Sequence, residues 1–150
     1  MKIGIASDHR GYNLKEKIIN YLKSCSIGTI DFGTNSTDSV YYPKYAFILS
    51  NAVISKTIDF GIAICGSGIG ISIACNKVKG IRCAKVSNVD DAIHTREDND
   101  ANIMAIGENI NEKDLFKIID AFINTPFSNL EKHKRRINMI KEYEDNHYAC

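Results

Sequence analysis

Short apolar runs alternate with stretches of helical period along this chain. Residues 2–7 form one such run and predict a buried strand, which stops at Asp8-His9-Arg10-Gly11. Leu14, Ile18, Ile19, Tyr21 and Leu22 then recur at helical spacing up to about Ser24. Residues 27–32 predict a second strand, ended by Gly33. The polar loop 34–42 leads to Pro43, which suits the first turn of a helix; Tyr45, Ala46, Ile48, Leu49, Ala52 and Val53 form its apolar side. Residues 58–65 predict a third strand, the most apolar, followed by a glycine-rich turn and a helix to about Lys77. A fourth strand is expected over 81–86. Ser87 or Asn88 can cap the next helix, which includes residues 90–97. Residues 103–106 predict a fifth strand, closed by Gly107. Asn111 caps a helix over 112–124, and after Pro126 a last amphipathic helix runs from about Asn129 to Glu144.

Strands separated by helices imply right-handed crossovers and a parallel sheet. The strands are apolar on both sides, as doubly buried strands should be. The expected class is therefore α/β: one doubly wound, Rossmann-like domain over residues 1–150, with a five-stranded parallel sheet, helices on both faces and an extra C-terminal helix. No strand follows that helix, so it either closes over the same domain or packs on a partner subunit.

Composition narrows the classes of function. Of 150 residues, 44% are hydrophobic and 25% charged, as in a globular protein that buries a core. The net charge of +1 favours neither nucleic acid nor membrane as partner. No apolar run is long enough to span a bilayer, and the first apolar run is too short for a signal peptide. Cys25, Cys65, Cys75, Cys83 and Cys150 are scattered with no CxxC pair. That pattern argues against a disulfide framework or a zinc site and fits a reducing cytoplasm.

Open parallel sheets bind ligands beyond the carboxyl ends of their strands. This selects Asp8, His9, Arg10 and Gly11 after the first strand, Cys65 to Gly70 after the third, and Gly107-Glu108-Asn109 after the fifth. Tyr41 and Tyr42 come from the loop before Pro43, and all these loops should converge. Gly66, Gly68 and Gly70 alternate, bringing bare backbone N–H groups close to a ligand at the start of a helix, where an anion or a developing oxyanion is stabilised. The spacing is not the dinucleotide fingerprint and lacks the P-loop lysine. Alone, such a turn is equally a tight strand-to-helix connection. Cys65 sharpens it, because N–H groups at a helix start favour thiolate over thiol; the plain alternative is a buried, inert cysteine, the role expected of the other four. Ser67 either caps the helix or donates to a substrate oxygen. In the basic run Lys132-His133-Lys134-Arg135-Arg136 most side chains must face solvent, but Lys132 and Arg136 share a helix face and together could grip a phosphate.

The stretch Ile64-Cys65-Gly66-Ser67-Gly68-Ile69-Gly70-Ile71-Ser72-Ile73-Ala74-Cys75-Asn76-Lys77 closely resembles the signature of type B ribose-5-phosphate isomerases. So do Ser7-Asp8-His9-Arg10-Gly11, Asp31-Phe32-Gly33-Thr34, Tyr42-Pro43, Gly80-Ile81-Arg82 and Asn99-Asp100-Ala101-Asn102. The resemblance extends to about Ile140, and galactose-6-phosphate isomerase shares the framework. It implies interconversion of ribose 5-phosphate and ribulose 5-phosphate, in the non-oxidative branch of the pentose phosphate pathway, with no metal and no cofactor. By resemblance, Cys65 moves the proton between C2 and C1 and Ser67, where the family usually has threonine, assists the hydroxyl transfers. N–H groups from Gly66 through Gly68 and Ile69 to Gly70 hold the enediolate oxygen. Asp8, Tyr42 and Asn99 bind the sugar, His9 the phosphate or nearby hydroxyls, and Lys132 and Arg136 the phosphate. The resemblance further implies a homodimer or homotetramer with sites shared between two subunits.

Four further positions leave that pattern. Asp98 stands where the family has the histidine that opens the sugar ring, and a carboxylate is a poor acid at neutral pH unless its pKa is raised. His94, one turn earlier, could supply an imidazole. Asn109 and Lys132 replace arginines, weakening the phosphate clamp, for which Arg10 or Arg135 could compensate. Tyr41 replaces an aspartate. These changes bear on the substrate rather than the fold. Two alternatives therefore stand beside the ribose 5-phosphate reading. One is an isomerase of a six-carbon sugar phosphate such as galactose 6-phosphate, possibly dependent on a different partner chain. The other is a non-catalytic sugar-phosphate-binding paralogue.

Overall fold

The computed structural model describes residues 1–148. Five strands and six helices follow in the order β1 (Lys2–Ser7), α1 (Tyr12–Ser24), β2 (Gly28–Asp31), α2 (Tyr42–Ile54), β3 (Phe60–Cys65), α3 (Ile69–Cys75), β4 (Cys83–Lys85), α4 (Val89–Glu97), β5 (Ile103–Gly107), α5 (Leu115–Asn124) and α6 (Glu131–Tyr148). All strand pairs are parallel, in the order β2-β1-β3-β5-β4. The doubly wound α/β class is borne out.

The period of two along each strand explains the two layers of core. Ile3, Ile5, Ile62, Ile64, Met104 and Ile106 point to one face and pack with Leu14, Ile18 and Leu22 of α1, Ala92 of α4 and Ile118, Ile119 and Phe122 of α5. Ala6, Ala63, Cys65 and Ala105 point to the other, against Leu49 of α2 and Ile71 of α3. At the carboxyl ends of the strands the residues on this second face are small, and Cys65 belongs to that side; Ile103 fills the same face nearer the amino ends.

The elements are shorter than their apolar runs. Ile58 is buried before β3 begins, because its side chain fills the α2 face while its N–H donates to Ala52 O. In the same way, Ile81 and Val86 are buried at either end of the three-residue β4. Asn88 does cap α4, accepting from Asp91 N at 2.8 Å. Asn111, by contrast, accepts from Lys113 N within a turn, so α5 starts at Leu115 rather than at 112.

The chain reverses direction across the sheet between β1 and β3, which opens a crevice at their carboxyl ends. The turn after β2 is braced towards it. Ser7 N donates to Gly33 O, Thr34 N donates to Ser7 O, and Asp31 Oδ1 accepts from Gly33 N. The fully buried Lys15 reaches Asp31 Oδ2 at 2.7 Å and Glu16 at 2.9 Å. Burial opposes the Lys15 charge, but the two carboxylates outweigh it and raise the ammonium's pKa.

Helix α6 packs on its own chain. His133 and Ile137 are its buried residues among those described, Glu144 accepts from Gly80 N, and Ser128 N donates to Glu97 O just before the helix. Neither core cluster includes an α6 residue. Met139 and Tyr143, each 61% exposed, are left facing outward.

Candidate active site

The expected convergence occurs at the carboxyl ends of β1, β3 and β5. Asp8, Arg10, Tyr42, Cys65, Gly66, Ser67, Gly70 and Asn109 line one open cavity of about 420 Å³. Cys65 is 4% exposed, and its Sγ accepts from Gly68 N at 3.2 Å. Any negative charge on that sulfur is met by a donor. Gly68 has φ +76°, and a Cβ there would sit 2.8 Å from the carbonyl carbon of Ile106. Only glycine fits that turn. A Cβ on Gly70 would lie 2.7 Å from Cζ of Tyr42, so the tyrosine ring lies directly on the bare backbone of α3.

Two of the loop's N–H groups are used internally, Gly68 N by Cys65 Sγ and Ile69 N by Ser67 Oγ. Among the described residues, the N–H groups of Gly66, Ser67 and Gly70 have no partner. The oxyanion donors expected across the whole loop therefore reduce to three. Gly68 occupies the N-cap position of α3, and Ser67 Oγ accepts from Ile69 N in the turn ahead of it, leaving the Ser67 hydroxyl hydrogen available.

The neighbouring loop is held by Asp8, whose Oδ1 accepts from Arg10 N at 2.9 Å and from Gly11 N at 3.1 Å. Asp8 N donates to Ile64 O, tying β1 to β3 where the crevice opens. His9 Nδ1 accepts from Val40 N, so in the neutral ring the proton sits on Nε2. Arg10 lies across Gly66 and pairs with Glu108, which places a cation at the cavity mouth beside the neutral Asn109. Tyr41 is exposed. Cys25, Cys75 and Cys83 are free thiols outside this cavity; Cys150 lies outside the described residues. No group of three or more metal-ligating side chains gathers among the described residues.

The remaining expected residues lie elsewhere. Gly61 N donates to Asn102 O, so the turn 98–102 sits at the amino ends of β3 and β5. From there to Cys65 is one strand length, about 16 Å for six residues of β3. Asn99 and Arg136 line a second cavity of about 340 Å³ with Arg82, Thr95 and Ile137. Arg82 braces this turn, donating to Asn99 O, Asp100 O and Asp100 Oδ2, while Arg96 donates to Asp100 Oδ1 and Ala101 O. Lys132 is exposed on α6. Asp98 N donates to His94 O at the end of α4, but the His94 side chain is exposed; the Asp98 carboxyl lies 3.1 Å from Nε2 of the buried His133.

A family model described as Ribose/Galactose Isomerase matches residues 3–140. The chain belongs to the ribose/galactose isomerase family. The Clostridium thermocellum ribose-5-phosphate isomerase B structure superposes with a TM-score of 0.94 at 45% identity, covering 97% of this chain and 99% of that one. A Thermotoga maritima ribose 5-phosphate isomerase gives 0.91 at 45% identity over 94% and 97%. The ribose-5-phosphate isomerase B of Mycobacterium tuberculosis is 37% identical over 99% of this chain and 93% of its own. A Bacillus subtilis relative, 43% identical over 97% and 98%, carries only the provisional name of a sugar phosphate isomerase.

Within this isomerase family framework, the structure sorts the expected site residues into two groups at opposite ends of one sheet. The first holds the thiol, the N–H donors and Asp8; the second holds Asn99, Arg136 and the Asp98–His133 pair. Sequence reasoning passed over His133, reading the five-residue basic run as a solvated face with two phosphate grips. Ile137, four residues on, was the available signal, since i and i+4 share a helix face.

Proposed function

We propose that this chain interconverts ribose 5-phosphate and ribulose 5-phosphate through an enediolate, with Cys65 as the base. One observation carries the reading: a buried sulfur faces a cavity rimmed by three unclaimed backbone N–H groups. Proton abstraction beside a carbonyl needs both parts. The base takes the C2 proton, and fixed donors stabilise the negative oxygen that develops as the carbonyl becomes an enediolate. Cys65 then returns the proton at C1. Ser67, with its hydroxyl hydrogen uncommitted, passes protons between the two oxygens. Asp8 and Tyr42 hold the sugar against the loop. This route uses neither metal nor cofactor.

The second half-site completes the pocket of another copy, since no single chain brings residues one strand length apart onto one small sugar. A homodimer in which Asn99, Lys132 and Arg136 of each chain serve the other's Cys65 accounts for both cavities. His9 and Arg10 add positive or donor character on the cysteine side.

The test is a two-substrate assay on the purified chain. Ribose 5-phosphate is expected to be isomerised, and Cys65→Ala to abolish turnover with substrate binding retained. Turnover by Cys65→Ala equal to wild type would exclude the cysteine mechanism. The second reading, a six-carbon substrate such as galactose 6-phosphate, draws support from Asp98, Asn109 and Lys132. Turnover of galactose 6-phosphate in preference to ribose 5-phosphate would establish it, and binding of both sugars without turnover would favour a non-catalytic paralogue.

A further inference from the structure

Two free thiols outside the Cys65 cavity sit together. Cys75 ends α3 and is fully buried; Cys83 begins β4 and packs half-buried against the same apolar cluster. Asn76 holds the two in register. Its Oδ1 accepts from Cys83 N and its Nδ2 donates to Cys83 O, both at 2.8 Å. Ser50 Oγ, buried and without an oxygen or nitrogen partner among the described residues, turns to the Cys75 sulfur. Removing one proton from this pair is eased: the Cys83 thiol, and after it Ser50, donates to the Cys75 sulfur and lowers its pKa against the cost of burial. Removing the second is opposed, since the bond to Cys75, burial and the charge on that neighbour keep Cys83 well above the ordinary thiol value. The two sulfurs therefore titrate as one unit that shares a proton.

Access and consequence both come from the second cavity. Cys83 lines it beside Asn99 and Arg136, so a small oxidant entering there reaches the pair. Arg82, the preceding residue, ties β4 to the turn that carries Asn99. Its main-chain N donates to Asn102 Oδ1 at 2.8 Å and its Nε to Asn99 O at 2.9 Å. Bonded sulfurs lie about 2.05 Å apart, closer than any unbonded pair, so a cross-link must draw the two residues together. Cys75 is fixed in the core, whereas β4 is a three-residue edge strand paired with β5 alone. The strand gives way, and Arg82 carries the shift to Asn99.

We propose that Cys75 and Cys83 are a redox modification site, joined reversibly as a disulfide by hydrogen peroxide, and that the cross-link weakens sugar-phosphate binding at the Asn99 and Arg136 cavity. The effect on binding rests on the isomerase reading; the disulfide does not. With the shared proton on Cys75, the Cys83 sulfide attacks one peroxide oxygen. The O–O bond breaks, Cys83 becomes a sulfenic acid, and the departing hydroxide takes the Cys75 proton and leaves as water. The Cys75 sulfide then attacks the Cys83 sulfur. The S–S bond forms, the S–O bond breaks, and the second hydroxide takes a proton from solvent and leaves as water. Two thiols give up two electrons and one peroxide accepts them. A dithiol reductant reverses the change by thiol–disulfide exchange.

The Cys65→Ala chain is the one to test, because peroxide cannot then act on Cys65 and binding is read without turnover. Treated with hydrogen peroxide, alkylated and digested with trypsin without reductant, it is expected to yield residues 57–77 joined to residues 83–85, with the loss of two hydrogens in the mass spectrum. Calorimetry is expected to show ribose 5-phosphate binding about 10-fold weaker after peroxide. Dithiothreitol should separate the peptides and restore the affinity. Adding Cys75→Ser should leave affinity unmoved by peroxide; Cys83→Ser, at a half-buried position, gives the same reading if Cys75→Ser does not fold. Absence of the joined peptides would overturn the proposal. Joined peptides with unchanged affinity would overturn the effect on binding, as would an equal loss of affinity in the serine variants. No binding of ribose 5-phosphate by the reduced chain would sink the isomerase reading and the effect on binding with it, while joined peptides would still establish the disulfide.

Discussion

Gly68 shows how tightly the cysteine turn is specified. Its φ is +76°, and any Cβ meets the Ile106 carbonyl carbon at 2.8 Å, which is backbone and cannot swing aside. Gly68→Ala is therefore expected to lose about 1–3 kcal/mol of stability in urea denaturation. It should also lose activity, because the N–H that meets Cys65 Sγ moves with it. Gly70→Ala is a milder case. Its new methyl displaces the Tyr42 ring, a side chain able to rotate, so KM should rise while the urea midpoint changes little. At this scale the sequence was legible wherever position and residue type agreed. Cys65, Asp8 and the alternating glycines all follow strand ends, where ligands are expected. His133 was not legible, because five basic residues in a row look alike until it is known which face of the helix is covered. Asp98 was singled out, but the one imidazole weighed beside it was His94, one turn earlier. The partner came from a helix 35 residues away, which only tertiary packing decides.

Among the elements, the turn 98–102 depends on two arginines from different parts of the chain. Arg82 and Arg96 converge on Asp100, which has a positive φ of 46° and accepts from both. Asp100→Ala leaves two guanidinium groups short of a partner and is expected to cost about 1–3 kcal/mol. Circular-dichroism melts would report the loss, and activity should fall further than stability because Asp98 and Asn99 are carried on this turn. Strand and helix order was readable from the apolar period alone. Boundaries were less so: Ile58 and Ile81 are buried for side-chain packing outside the strands, and an apolar pattern registers burial rather than pairing.

The molecule as a whole places the Cys65 cavity at one end of the sheet and the cavity of Asn99 and Arg136 at the other. Mixing predicts a measurable recovery. Cys65→Ala and Arg136→Ala chains, each inactive alone, should regain about a quarter of wild-type turnover when unfolded and refolded together, because half the random dimers are mixed and each has one intact pocket. No recovery would argue that both halves serve something other than a shared pocket. The sheet and its two faces were legible in the alternation of apolar runs. The separation of Asn99 from Cys65 was not, although strand direction contains it: a residue just before β5 cannot lie beside one just after β3.

Helix α6 stands outside both core clusters yet bears Lys132, His133 and Arg136. Under the proposed function, this helix matters more to chemistry than to folding, in which Ile137 is its one buried apolar residue among those described. A polypeptide ending at residue 127 should still melt cooperatively, and it should be silent in any assay. Expressed beside the intact protein, it would form mixed dimers that keep one working pocket, its own Cys65 served by the last helix of the intact chain. Selection for thermal stability alone would leave the last helix free to drift.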